Sequence, residues 1–203
     1  MKLFYASGSP YARIIRVVLR ETGLDRRVPE EEVTLRDPNS TLLAYNPGGK
    51  VPSLQLDDGT ILTETLLVLS YLDTQHDGRR LLPMDGSDGW KTLADTGRAI
   101  AFLDGISVWN RELRFGQSTP RVIALEKARA DRVADGLERS LGEGHYGGPL
   151  DAAQIVLGAA LENAARRHKV WEWRSGRPRL LAFLDEIARR PSFTATLQPE
   201  LDL

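Results

Sequence analysis

A proline stands at the mouth of a short β-run, Val51-Pro52 ahead of Ser53-Leu54-Gln55-Leu56, and it limits the fold of this chain more than any other feature. Val-Pro in that setting fits a cis bond, which costs only about 0.5–1 kcal/mol over trans and is typical of tight turns. A cis bond would turn the Val51 N–H and C=O outward, where an extended ligand can pair with them as one more antiparallel strand. Asp57-Asp58-Gly59-Thr60 then reads as a hairpin turn into Ile61-Leu62, and the next helix opens at Thr63-Glu64-Thr65. That helix start offers N–H groups and the Thr65 hydroxyl to a ligand carboxylate, while Glu64 offers a carboxylate to a ligand ammonium. The pattern describes a clamp for a small peptide.

The rest of the first 76 residues supplies a frame for that clamp. Lys2–Tyr5 is a short strand, and Ser9-Pro10 reads as the N-cap and first-turn proline of a helix running to about Thr22. Ile14, Ile15, Val18 and Leu19 form its apolar stripe, with Arg13, Arg16 and Arg20 expected on a solvated face and Gly23 at the C′ position. A second strand is expected within 28–34, and Thr41–Tyr45 makes at most a short helical turn. With the hairpin and a helix over 64–75, the order describes a small mixed sheet covered by helices, complete near His76. Residues 77–89 are polar and turn-rich and suit a linker. Residues 90–203 carry no strand pattern. Helices are expected over 90–115, with a break near Gly116, then over 120–141 and 177–189. Asp151-Ala152-Ala153-Gln154 has capping-box spacing ahead of the apolar run Ile155–Leu161.

Composition removes several classes of function. Lys+Arg 27 against Asp+Glu 28 leaves a net charge of −1, so no general attraction to nucleic acid or anionic membrane is expected. No apolar run approaches the roughly 20 residues of a membrane span, and no secretory leader pattern is visible, so a soluble cytoplasmic protein is expected. A cysteine count of 0 excludes any mechanism in which the chain supplies a thiolate. His76, His145 and His168 show no ligand spacing, so no metal is expected.

Together these pieces resemble the glutathione S-transferase family, specifically bacterial serine-type members with beta-class-like features. Asn46-Pro47 with Gly49-Lys50-Val51-Pro52 is similar to the family's N-P-x-G-[KQ]-V-P segment, and Leu62-Thr63-Glu64-Thr65 stands where its acid-serine pair occurs. Asp151 and Gln154 stand where the box before its central helix occurs. Trp173-Arg174-Ser175-Gly176-Arg177-Pro178 and Arg190-Pro191-Ser192-Phe193 are similar to its tail. Thr65 replaces the usual Ser, and the active-site cysteine of the beta class is missing, with Pro10 about where it would fall. The resemblance implies a thioredoxin-like α/β N-terminal domain over 1–76, a linker over 77–89 and an all-helical C-terminal domain over 90–203. It also implies a homodimer and glutathione as co-substrate, without another cofactor.

In that setting the resemblance assigns the catalytic hydroxyl to Ser9, in Ser9-Pro10-Tyr11-Ala12-Arg13, and glutathione contacts to Val51, Glu64 and Thr65. Lys50 reads either as a solvated loop charge or as a contact for the glycyl carboxylate. Moving a thiol from its ordinary pKa of about 8.5 to about 6.5 takes roughly 2.7 kcal/mol. One hydrogen bond to a charged acceptor supplies about 1.5–3 kcal/mol and a helix N-terminus roughly 0.3–1 kcal/mol more. Ser9 alone also reads as an ordinary N-cap, and Tyr5 and Ser7 are rival donors. The second, hydrophobic electrophile would face the helical domain, where Trp109, Arg111, Arg114 and Phe115 are candidates with packing or solvent as their plainer roles. Val108-Trp109 stands where relatives often carry Asp-Ala, which hints at a bulkier acceptor pocket; Trp171 and Trp173 read as packing residues. Alternatives on the same scaffold are a non-catalytic interaction protein and a glutathione-dependent peroxidase.

Overall fold

The computed structural model describes residues 1–115 and 119–201, so the break expected near Gly116 lies outside the described residues. In chain order the elements are β1 (Lys2–Tyr5), α1 (Pro10–Glu21), β2 (Glu30–Glu32), β3 (Ser53–Gln55), β4 (Ile61–Thr63), α2 (Thr65–Leu72), α3 (Gly86–Arg114), α4 (Pro120–Gly142), α5 (Ala152–Arg167), α6 (Pro178–Ile187) and α7 (Pro191–Ala195). They divide into two compact units. One is Met1–Leu82 with Pro191–Gln198, and the other is Pro83–Arg190 with the stretch from Pro199.

The first unit is built on a four-stranded mixed sheet of order β2-β1-β3-β4. β1 runs parallel to β2 and antiparallel to β3, and β3 pairs antiparallel with β4 across the Asp57–Thr60 turn. Pro10 sits in the first turn of α1 and Ser9 caps it. Gly23 follows the helix at φ 70, a left-handed position where a Cβ is disfavoured. β2 is shorter than the sequence pattern because the Val28 N–H goes to the Leu24 carbonyl and Pro29 has no N–H to give, so strand geometry begins at Glu30.

Two segments belong elsewhere than the sequence placed them. Leu81 and Leu82 are not linker: the buried Asp73 carboxylate accepts the amides of Leu81 at 2.8 Å and Leu82 at 3.0 Å, and both leucines are buried. The helical turn at Gly86 to Gly89 opens α3, so the linker shrinks further. Pro191–Gln198 was expected with the helical domain, yet it packs on α1. Arg13 is buried rather than solvated; its Nη2 donates to the Phe193 carbonyl at 3.1 Å and its guanidinium carbon lies 5.2 Å from the Phe193 ring centre. Arg16 and Arg20 are not simply solvated either, since they converge on Glu30 at 2.8 and 2.5 Å.

The second unit is helical. α5 is its central rod, buried from Ala152 through Ala164 and packed on α3 and α6. Its N-terminus closes with the expected box: the Gln154 amide donates to Asp151 Oδ1 at 3.0 Å, and the Asp151 amide donates to Gln154 Oε1 at 2.8 Å. The start of α6 is capped from α4 instead, where the buried Glu138 carboxylate accepts the Arg179 and Leu180 amides. Trp171 and Trp173 are packing residues, as expected; Trp171 Nε1 also donates to Asp131 Oδ1 at 2.9 Å.

Candidate functional site

The sheet register brings the expected clamp residues to one end of the first unit. β3–β4 pairing ends at Ser53 opposite Thr63, so Val51 and Pro52, just before β3, and Glu64 and Thr65, just after β4, leave the hairpin at the same end. β1 leaves the sheet at the same end, because Phe4 pairs with Ser53 and the strand ends one residue on, at Tyr5. Val51 shares an apolar cluster with Phe4, Ala12, Val33 and Leu42, against which Ala6 also packs. Ala12 lies in the first turn of α1, so the Ser9 end of that helix stands beside the Val51 turn.

Local chemistry fixes each piece. The Val51–Pro52 bond is cis, as the sequence pattern predicts. Asn46 organises the loop ahead of it: its Oδ1 accepts the Gly48 amide, and its Nδ2 donates to the Lys50 carbonyl at 3.1 Å and to Ser53 Oγ at 3.0 Å. Ser53 Oγ returns a bond to the same Lys50 carbonyl at 2.8 Å. Gly49, at φ 59, takes the left-handed position within that loop. Neither Asn46 nor Ser53 was assigned a role from sequence, although Asn-Pro followed by glycines is an Asx-turn signal that could have flagged the first.

Glu64 sits at φ 67 and ψ 127, exposed, between β4 and α2, and its side chain does not cap the helix. A non-glycine residue held at positive φ costs about 1–3 kcal/mol and is concentrated at ligand clamps. With no side-chain cap, the first amides of α2 are open to another acceptor. Thr65 is buried beside them, and the Lys50 side chain projects from the exposed rim.

Ser9 is nearly enclosed, and its Oγ accepts the Ala12 amide at 3.2 Å. Capping uses an oxygen lone pair and leaves the hydroxyl hydrogen available for donation. Its two rivals are otherwise engaged. The Glu32 carboxylate accepts from the Ser7 hydroxyl, from the Ser7 amide at 2.9 Å and from the Tyr5 hydroxyl, and these bonds hold it below the usual carboxylate range. The Arg16 guanidinium lies 4.1 Å above the Tyr5 ring. At neighbouring Glu30, burial pushes the carboxyl up, but bonds from Arg20 and Arg16 outweigh it and keep it low.

In the helical unit, Trp109 is buried, 4.1 Å edge-on from the His168 ring and 6.0 Å from Trp171. It is a core residue, so the bulkier pocket inferred from Val108-Trp109 does not follow. Arg111, Arg114 and Phe115 are exposed, and the Arg114 guanidinium lies 5.2 Å from the Phe115 ring. Burial pushes the His168 pKa down to about 4. Among the described residues, no group of three or more His, Cys, Asp or Glu side chains is placed to hold a metal ion, and no helix is long and apolar enough to cross a membrane.

A four-stranded mixed sheet with a cis proline at the start of its third strand, followed by a helical unit around a buried central helix, is the thioredoxin-like plus all-α architecture. Models of the glutathione S-transferase N-terminal and C-terminal domains match residues 3–80 and 120–186. A glutathione transferase family member from Pseudomonas fluorescens Pf-5, crystallised with S-(propanoic acid)-glutathione, is 33% identical. Its TM-score is 0.87, and the match covers 98% of this chain and 100% of that one. A glutathione S-transferase from Methylobacillus flagellatus KT with glutathione bound is 28% identical at TM-score 0.89, covering 98% of both chains. Glutathione S-transferase GstA of Escherichia coli O157:H7 is 35% identical over 96 residues, which take in 46% of this chain and 47% of that protein. The chain thus matches about half the length of that curated relative. It belongs to the glutathione S-transferase family.

Proposed function

We propose that this protein is a glutathione transferase that conjugates the glutathione thiolate to a small hydrophobic electrophile. The observation that carries the reading is the convergence of Ser9, Val51 and Thr65 at one end of the first unit's sheet, together with glutathione bound in structural relatives. Val51 pairs through its backbone with the cysteinyl residue. Glu64 receives the γ-glutamyl ammonium, and the α2 amides with the Thr65 hydroxyl receive its carboxylate. Lys50 meets the glycyl carboxylate from the rim. Ser9 donates its hydroxyl hydrogen to the sulfur, and the positive end of α1 adds to the same effect. The thiolate attacks an electrophilic carbon, forming the C–S bond as the leaving group or a carbon–carbon π pair takes the electrons. Glutathione is the co-substrate, no further cofactor enters, and the working form is a cytoplasmic homodimer.

Calorimetric titration with glutathione, followed by conjugation assays on a chromogenic electrophile, tests this reading. Saturable binding with turnover is expected. No binding at millimolar ligand would favour a scaffold role, and turnover of an organic hydroperoxide alone would favour peroxide reduction.

A further inference from the structure

Ser9 is reached through a tight turn, Ala6–Ser9, closed by the Ser9 amide donating to the Ala6 carbonyl at 2.9 Å. The peptide plane between Gly8 and Ser9 therefore has its N–H end fixed. Its other end, the Gly8 carbonyl, accepts from Gln198 Nε2 at 3.0 Å, a partner 190 positions away in the tail. A peptide unit is rigid, so pinning both ends sets where the Ser9 Cα sits and how its N–Cα bond is directed. The φ and χ1 rotations of Ser9 remain; the Arg13 amide on the Ser9 carbonyl at 3.1 Å holds the first, and the Ala12 amide on Oγ holds the second.

Gln198 is an unusual residue to find there. It is 1% exposed, in a tail held to α1 by Arg13 on the Phe193 carbonyl and by Ser192 Oγ on Glu21 at 2.5 Å. Burying an amide costs free energy that an apolar side chain of the same size would not incur, unless its hydrogen bonds are made. An aliphatic residue would serve packing alone at least as well. What the amide adds is a donor aimed at the residue before Ser9. The opposite side of the turn is pegged by Glu32, which accepts the Ser7 amide and hydroxyl.

We infer that Gln198, from the C-terminal tail, is a positioning residue for the Ser9 hydroxyl. It holds the Gly8 carbonyl and with it the geometry of the hydrogen bond to the glutathione sulfur. The inference rests on the proposed transferase reading. It makes the tail part of the active end of the first unit. Misplacing a catalytic group by about 1 Å can cost on the order of 100-fold in rate, so a lost peg has a measurable consequence.

The test is Gln198→Met in the full chain, which keeps the length of the side chain and removes the donor, run beside Ser9→Ala. Glutathione affinity is measured by calorimetry, and the pKa of the bound thiol by its ultraviolet thiolate absorbance against pH. Gln198→Met is expected to keep the affinity within about twofold while raising the thiol pKa by about 1 and lowering kcat about tenfold. A residue that only packs the tail would move the melting temperature and leave the bound thiol's pKa where it is. An unchanged pKa and kcat in Gln198→Met, beside a raised pKa in Ser9→Ala, overturns the inference and leaves the transferase reading standing. An unchanged pKa in Ser9→Ala overturns the reading itself and the inference with it. Should Gln198→Met fail to fold, Gln198→Leu is measured for the same thiol pKa, and a value equal to wild type overturns the inference.

Discussion

Gln198 and His168 are both polar side chains sealed from solvent, one in each unit, and the chain handles them in opposite ways. Gln198 gives its amide to the Gly8 carbonyl, beside the hydroxyl proposed to do chemistry. His168 packs edge-on against Trp109 and lies 6.4 Å from Trp171, and neither of its ring nitrogens has a hydrogen-bond partner among the described residues. The first unit uses a buried polar group to hold a turn still. The second tolerates one by keeping it uncharged. Buried polarity near a site is best read by what it is aimed at; buried polarity in a core is best read by the pH at which it fails.

The largest effect expected is therefore on stability, in the helical unit. His168 titrates near 4 when folded and near 6.5 when unfolded. Between those values the unfolded chain binds a proton that the folded chain does not. Stability is thus complete above pH 6.5 and is lost as pH falls toward 4, by about 3 kcal/mol in all. Urea unfolding of wild type and His168→Leu at pH 7 and pH 4.5 checks this. The variant should lose much of the acid sensitivity, and an equal pH slope in both would mean His168 is not the group responsible.

Next in size is the site itself. Ser9→Ala should lower turnover roughly 10- to 100-fold, as loss of about 1.5–3 kcal/mol of thiolate stabilisation implies, with little change in glutathione affinity. Steady-state kinetics distinguish this from loss of a cap alone, which would lower stability and spare kcat.

Much of the frame was legible because its signals are local. Ser9-Pro10, Gly23, the Asp57–Thr60 turn and the Asp151–Gln154 box each carry their physics within a few residues, and each appears where the pattern put it. What escaped reading depends on distant partners. Arg13 looks like one of three surface arginines until the Phe193 carbonyl, 180 positions on, is set against it. Asp73 looks like a helix end until it collects two amides from 81 and 82. The site divides the same way: Ser9, Val51, Glu64 and Thr65 lie within motifs, whereas Glu32 and Gln198 have no sequence signature because their function is the place of their partner.

Smaller effects sharpen the contrast between the units. Asp151→Ala removes one half of a capping box and should cost about 1 kcal/mol in urea unfolding without changing kinetics. Lys50→Ala, on the exposed rim, should weaken glutathione binding by only about twofold by calorimetry, since exposed ion pairs contribute little. A loss far above that would move Lys50 into the clamp proper.

The most direct test is a crystal structure of the full chain with glutathione bound. The sulfur is expected within hydrogen-bonding contact of Ser9 Oγ, with the cysteinyl backbone against Val51. A tripeptide seated there with its sulfur turned away from that oxygen would contradict the mechanism.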